Sequence, residues 1–221
     1  MRILSILLLL STWGVSAYGQ PPMMVDMPYT GTTHYGGYAR GVDSLSQLPP
    51  RIASNLQGYL EIILGPFSDS LTFAHGQAVD LDSKFRADSI AYRREYVLPA
   101  YELVFLLKYD PVHISNYYLK VELDQYGQLL HINWPGQGYS DPDRLKDMSV
   151  IRKFALNRAK AGEFYRENYT VAFEYNRKLD KLCWVFMFPI EGKRDMFRAI
   201  SIPWTLLEVV DDAWILESIS Y

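Results

Sequence analysis

Tyr117-Tyr118-Leu119-Lys120-Val121-Glu122-Leu123-Asp124 is the stretch on which the fold turns. Tyr117, Leu119, Val121 and Leu123 occupy one side of an alternating pattern, and Tyr118, Lys120, Glu122 and Asp124 the other. A period of two with one apolar side is the signature of a half-buried strand. Asp124-Gln125-Tyr126-Gly127 follows as a turn, and Leu130-His131-Ile132-Asn133-Trp134 alternates again. The pair reads as a hairpin with one wet face.

Strands and one helix precede this hairpin. Residues 101–109 form a nearly continuous apolar strand. Two short strands are expected at 71–73 and 78–81. Before them, Ile52, Leu56, Tyr59, Leu60 and Ile63 recur at helical spacing over residues 50–64, after Pro49-Pro50 and before Gly65-Pro66, which mark a start and a stop. The downstream half repeats the order. Residues 135–140 form a glycine-rich break. Asp141 and Pro142 predict a helix start, and Leu145, Met148, Ile151, Ala155 and Ala159 share one side up to Gly162. Strands are expected at 169–175, 182–190, 197–202, 206–210 and 214–219, with turns at 191–195 and at Asp211-Asp212.

Helix, strands, helix, strands is an α+β pattern, each helix packed on an antiparallel meander sheet. The halves look alike, which leaves open either a duplicated unit or two independent meanders. Four segments are expected: a signal peptide at 1–19, an irregular arm at 20–49 rich in Pro and Gly, a first α+β unit at 50–138 and a second at 139–221.

The second half resembles the PepSY-like family of exported bacterial domains, which have a cystatin-like helix-on-sheet shape. The residues that carry the resemblance are Ala155 and Ala159 on the helix, the strands around 169–174 and Leu182-Cys183-Trp184-Val185-Phe186, and Phe197-Arg198-Ala199-Ile200-Ser201-Ile202. It spans about residues 144–210, with a fainter echo at 101–134. Pro203-Trp204-Thr205 stands where the family usually has Asp-Ala and a Gly turn. The resemblance implies protease inhibition or the binding of exported partners, and no catalytic residues.

The N-terminus is laid out for export. Arg2 precedes an apolar run from Ile3 to Leu10, and Ala17-Tyr18-Gly19 forms a small-residue site before Gln20 and a Pro-Pro pair. We expect cleavage after Gly19 and a periplasmic or secreted protein with no stable membrane span, because the run is shorter than a span requires. About 200 residues would remain, enough for one large or two small domains.

Composition narrows the function. With 22 bases against 25 acids and no basic run, nucleic acid is not an expected partner. One cysteine, Cys183, excludes an internal disulfide. It lies in an apolar strand and reads as a buried small hydrophobe, since a reactive thiolate needs an electropositive, partly open setting. The histidines His34, His75, His113 and His131 form no metal-ligand spacing, and Asp80 with Asp82 and Asp88 lacks the Gly and Glu of a calcium loop. No cofactor, metal or catalytic residue is expected. Asn168-Tyr169-Thr170 matches a glycosylation acceptor.

The leading expectation is a non-enzymatic binding or inhibitor-like module whose partner is an exported protein or peptide. Its candidate face is Tyr118, Lys120, Glu122, His131 and Asn133, the side of the hairpin away from the helix. One rival is a hydrolase with a site assembled from scattered residues such as His131, Glu122 and Asp124. Another is a structural envelope component docking through a sheet edge or the arm.

Overall fold

The computed structural model describes residues 36–87, 98–136, 141–193 and 196–216. The signal segment, its cleavage position, Asp88 and residues 217–219 lie outside these. Among the described residues two antiparallel sheets and three α-helices make an α+β fold. The first sheet has the order β1-β2-β3-β4-β5: Ala39–Val42, Leu71–Val79, Tyr101–Tyr109, Ile114–Leu123 and Leu129–Ile132. The second has the order β6-β7-β8-β9: Thr170–Asn176, Lys181–Pro189, Met196–Pro203 and Asp211–Leu216. Helix α1 is Pro50–Leu64, α2 is Leu81–Ala87 and α3 is Met148–Ala161. Among the described residues no helix is long and apolar enough to cross a membrane.

Helix α1 forms where the spacing predicts. It starts at Pro50, whose missing N–H costs nothing in the first turn. Every fourth residue, Ile52, Leu56, Leu60 and Leu64, is buried. This ridge lies in one core with Leu103, Phe105 and Leu107 of β3 and Tyr117, Leu119, Val121 and Leu123 of β4. The β3–β4 register sets Leu103 opposite Val121, Phe105 opposite Leu119 and Leu107 opposite Tyr117, so both strands turn one apolar side to the helix. In the second unit Met148, Ile151, Ala155 and Ala159 of α3 meet Leu182, Trp184, Phe186 and Phe188 of β7 and Ile200 and Ile202 of β8. The alanines let α3 approach β8 closely.

The two apolar layers are one core. Phe67, Tyr117 and Trp134 from the first unit interleave with Phe173 and Trp204 from the second. The ring centroids of Trp204 lie 5.5 Å from Phe67, 5.6 Å from Trp134 and 5.4 Å from Phe173. Such edge and tilted contacts add to area burial.

Five local expectations are corrected. Residues 39–42 are not a loose arm: they form β1, paired to β2, and Val42 and Leu48 are buried. The fragment at 71–73 and the first two residues of that at 78–81 belong to one strand, β2, whose alternation is broken by a bulge between Phe73 and His75, while Leu81 opens α2. The second helix starts at Met148, capped by Asp147, because Asp141 caps only a short 3-10 turn at Pro142–Arg144. Residues 206–210 are a loop instead of a strand. Asp211 and Asp212 open β9 instead of turning, and the Asp212 carboxylate accepts from Arg198 Nε and Nη2, each at 2.9 Å.

Candidate functional site

The candidate face is the side of the first sheet opposite α1. Strand register places Gln77 of β2 opposite Glu102 of β3, Glu102 opposite Glu122 of β4, and Glu122 opposite His131 of β5. Four polar residues thus form one row across four strands. Close approach of β2 to β3 sets its first step. At Gly76 a Cβ would stand 2.7 Å from Leu103 Cδ2 and 2.9 Å from the Glu102 carbonyl, so any larger residue pushes the strands apart. Gln77 Nε2 donates to Glu102 Oε2 at 3.1 Å. Facing carboxylates destabilise a sheet unless a cation lies between them. Lys120 supplies it, with Nζ 2.9 Å from Glu122 Oε1 and 3.7 Å from Glu102 Oε2.

This side does not meet water as the alternation predicts. Glu102 and Val104 are 0% exposed and Gln77 is 7% exposed. Tyr118, Lys120, Glu122 and His131 form a half-buried rim. The reason lies in β3: a central strand with Glu102, Val104 and Leu106 on its second side is buried on both, as its nearly continuous apolar sequence indicates. Gln77 and Glu102 were not singled out by the pattern of β4. The usable signal was Glu102, a lone charge within Tyr101-Glu102-Leu103-Val104-Phe105-Leu106-Leu107.

Asn133 has a different task from its neighbours. Its Nδ2 donates to the Tyr118 carbonyl at 2.9 Å, and its Oδ1 accepts from Lys120 N at 2.6 Å. The carboxamide continues the ladder along β4 beyond the end of β5. The buried Tyr117 hydroxyl donates to the Asn133 carbonyl. Asn133 is thereby engaged with the backbone and not directed outward.

The scattered acids of the hydrolase reading are not assembled either. Asp124 Oδ1 accepts from Tyr126 N at 2.8 Å and Gln128 N at 2.7 Å, which closes the β4–β5 turn. Only Glu122 and His131 of that trio face each other. Asp80 caps α2: Ser83 N and Oγ donate to it at 3.0 and 2.6 Å, and these bonds hold its carboxyl below the usual range. Among the described residues no group of three or more His, Cys, Asp or Glu could hold a metal ion.

His131 has its pKa below its ordinary 6.5, chiefly through burial; Glu122 opposes this, while Arg177 and Lys120 add to it. A depressed histidine means that the unfolded chain binds the proton better. Its contribution to stability is fully present above pH 6.5 and is lost as pH falls through the lower folded value. The melting temperature of His131→Gln should therefore fall less than that of the parent between about pH 7 and about pH 5. Equal slopes would assign the acid response to other groups.

Cys183 lies on the outer side of the second sheet with Val185 and Ala199, 0% exposed, and burial pushes its thiol up to about 12. A neutral buried thiol is neither a nucleophile nor a ligand. Iodoacetamide should leave the native protein unmodified at pH 8 and alkylate it after denaturation. Cys183→Ala should cost about 1 kcal/mol in chemical denaturation. Alkylation of the folded form would contradict both expectations.

Asn168 is exposed on the turn before β6, and Thr170 opens that strand. Comparison of the chain with family models, with curated proteins and with solved structures finds no match.

Proposed function

We propose that this is an exported, non-enzymatic binding module that engages an exported protein or peptide through the rim formed by Tyr118, Lys120, Glu122 and His131. The observation that carries the reading is the cross-strand row Gln77–Glu102–Glu122–His131, with Lys120 bridging its two carboxylates. A network anchored on a buried carboxylate holds its outer members in fixed rotamers, so little ordering entropy remains to be lost on binding. Tyr118 adds a rigid amphipathic ring beside these charges, a composition favoured at interfaces. A hydrolytic reading finds less support, since Asp124 is held in its turn. The PepSY-like reading is supported by α3 lying on β7 and β8 through Ala155 and Ala159.

The test begins with affinity capture of the processed chain from its own periplasm or medium. The folded double variant Tyr118→Ser/His131→Ser should then bind the captured partner at least about tenfold more weakly. Full affinity in that variant places the interface elsewhere.

A further inference from the structure

The two long helices occupy equivalent places in their units and differ sharply in charge. The outward residues of α1 include Arg51, Ser54, Gln57, Glu61 and Ile62: one base, one acid, and a Gln57–Glu61 hydrogen bond of 2.8 Å. Helix α3 carries four exposed bases, Arg152, Lys153, Arg158 and Lys160, and no acid between Met148 and Ala161. The chain as a whole has a net charge of −3, so this concentration is not a general excess of base. Among the described residues Arg152, Lys153 and Arg158 have no ion-pair partner, and Lys160 lies 5.0 Å over the Tyr165 ring. Attraction to the C-terminal end of the helix dipole accounts for Arg158 and Lys160 in the last turn. It does not account for Arg152 and Lys153. The Asp147 carboxylate is already engaged by Ser149 N at 2.7 Å and by the Ser149 hydroxyl.

Spacing gives this surface a direction. Arg152, Leu156 and Lys160 are four residues apart and so form one ridge, with a half-buried apolar residue between two bases and Lys153 alongside. At about 1.5 Å per residue the outer two are about 12 Å apart. An extended segment rises about 3.3 Å per residue and repeats its side every second residue. An acid at the first position, an apolar residue at the third and an acid at the fifth therefore match the ridge in charge, order and length.

We infer that the Arg152–Leu156–Lys160 ridge of α3 is a docking surface for an extended acidic segment of a partner protein, in the pattern acid, any, apolar, any, acid. A lipid surface fits less well, because the apolar side of α3 (Met148, Ile151, Ala155 and Ala159) is buried in the core and cannot enter a membrane. The ridge is separate from the rim of the first sheet, so the two assignments stand or fall independently.

The probe is a fluorescent peptide with two Glu-Thr-Leu-Thr-Glu repeats, against the same peptide with Gln for Glu, followed by anisotropy at about 20 mM and about 200 mM salt. The acidic peptide should bind at least about tenfold tighter than the neutral one at low salt and weaken at high salt. The variant Arg152→Gln/Lys153→Gln/Lys160→Gln, with parental circular dichroism, should lose about tenfold, and Arg51→Gln on α1 should lose nothing. Leu156→Ser should weaken the peptide while keeping its salt dependence. Equal binding of both peptides, no loss in the triple variant, an equal loss in Arg51→Gln, or displacement of the acidic peptide by anionic vesicles or an oligonucleotide at matched charge would each overturn the assignment.

Discussion

Trp204→Ala is expected to destabilise the protein by about 3–5 kcal/mol. Trp204 is 1% exposed and touches rings from three other elements: Phe67 after α1, Trp134 after β5 and Phe173 in β6. Its backbone is equally committed. The amide donates to the Leu182 carbonyl at 3.2 Å, and the carbonyl accepts from Lys146 N at 2.7 Å, so the residue cannot swing into the space its ring would leave. Truncation removes the apolar area and leaves a void between the two units. A typical domain has about 5–15 kcal/mol in total. The variant should thus unfold at much lower denaturant. Because one core spans both sheets, it should still unfold in a single transition. Trp204→Phe keeps one ring and should cost less than half as much. Urea unfolding followed by far-ultraviolet circular dichroism measures both. A cost below about 1 kcal/mol for the alanine variant, or two resolved transitions, would show that the units are stabilised separately.

How far the sequence discloses this arrangement depends on the kind of signal. Periodic apolar residues are local and repeated, so α1, β3 and β7 are visible nearly to the residue, whereas β4 starts three residues before the alternation that reveals it. The interleaving of Phe67, Trp134, Phe173 and Trp204 is not: these residues are up to 137 positions apart and share no period. Competing caps explain the late start of α3. Asp141-Pro142 and Asp147 are both good helix starts, and only Asp147 precedes a stretch whose first buried residue, Met148, reaches the core. The bulge in β2 hides a nine-residue strand by shifting its alternation at His75. The candidate face was half legible. Alternation put Lys120, Glu122 and His131 on one side, but it could not show that Asn133 turns its carboxamide to the backbone of β4, or that Glu102 lies buried beneath them. Which side of a strand a residue occupies follows from the pattern; what lies across from it follows only from register.

Gly127→Ala is expected to cost about 3 kcal/mol, large for the addition of one methyl group. Two penalties combine. Gly127 has φ of +80°, in the left-handed region where a Cβ costs about 1–2 kcal/mol. That Cβ would also stand 2.9 Å from Ile52 Cδ1 and 3.0 Å from Asn55 Nδ2, both on α1. The turn is held on every side. Asp124 binds the amides of Tyr126, Gly127 and Gln128, while Asn55 Nδ2 donates to the Gly127 carbonyl at 3.3 Å. The turn cannot relax away from the helix without losing that bond, and α1 cannot withdraw because Ile52 is part of the core. Asn55→Ala alone should cost about 1 kcal/mol through the lost hydrogen bond. In the double variant the new methyl group meets one neighbour fewer, so the two costs should sum to more than the double variant shows, by at least about 0.5 kcal/mol. Strict additivity would place the whole penalty in the backbone angle. A cost for Gly127→Ala below about 0.5 kcal/mol would mean that the β4–β5 turn is not clamped to α1. His131 begins only four residues after Gly127, so a displaced turn also shifts the register that brings it opposite Glu122. The glycine variant should therefore recover part of the flattened acid response expected for His131→Gln, a second readout that a purely local strain would leave unchanged.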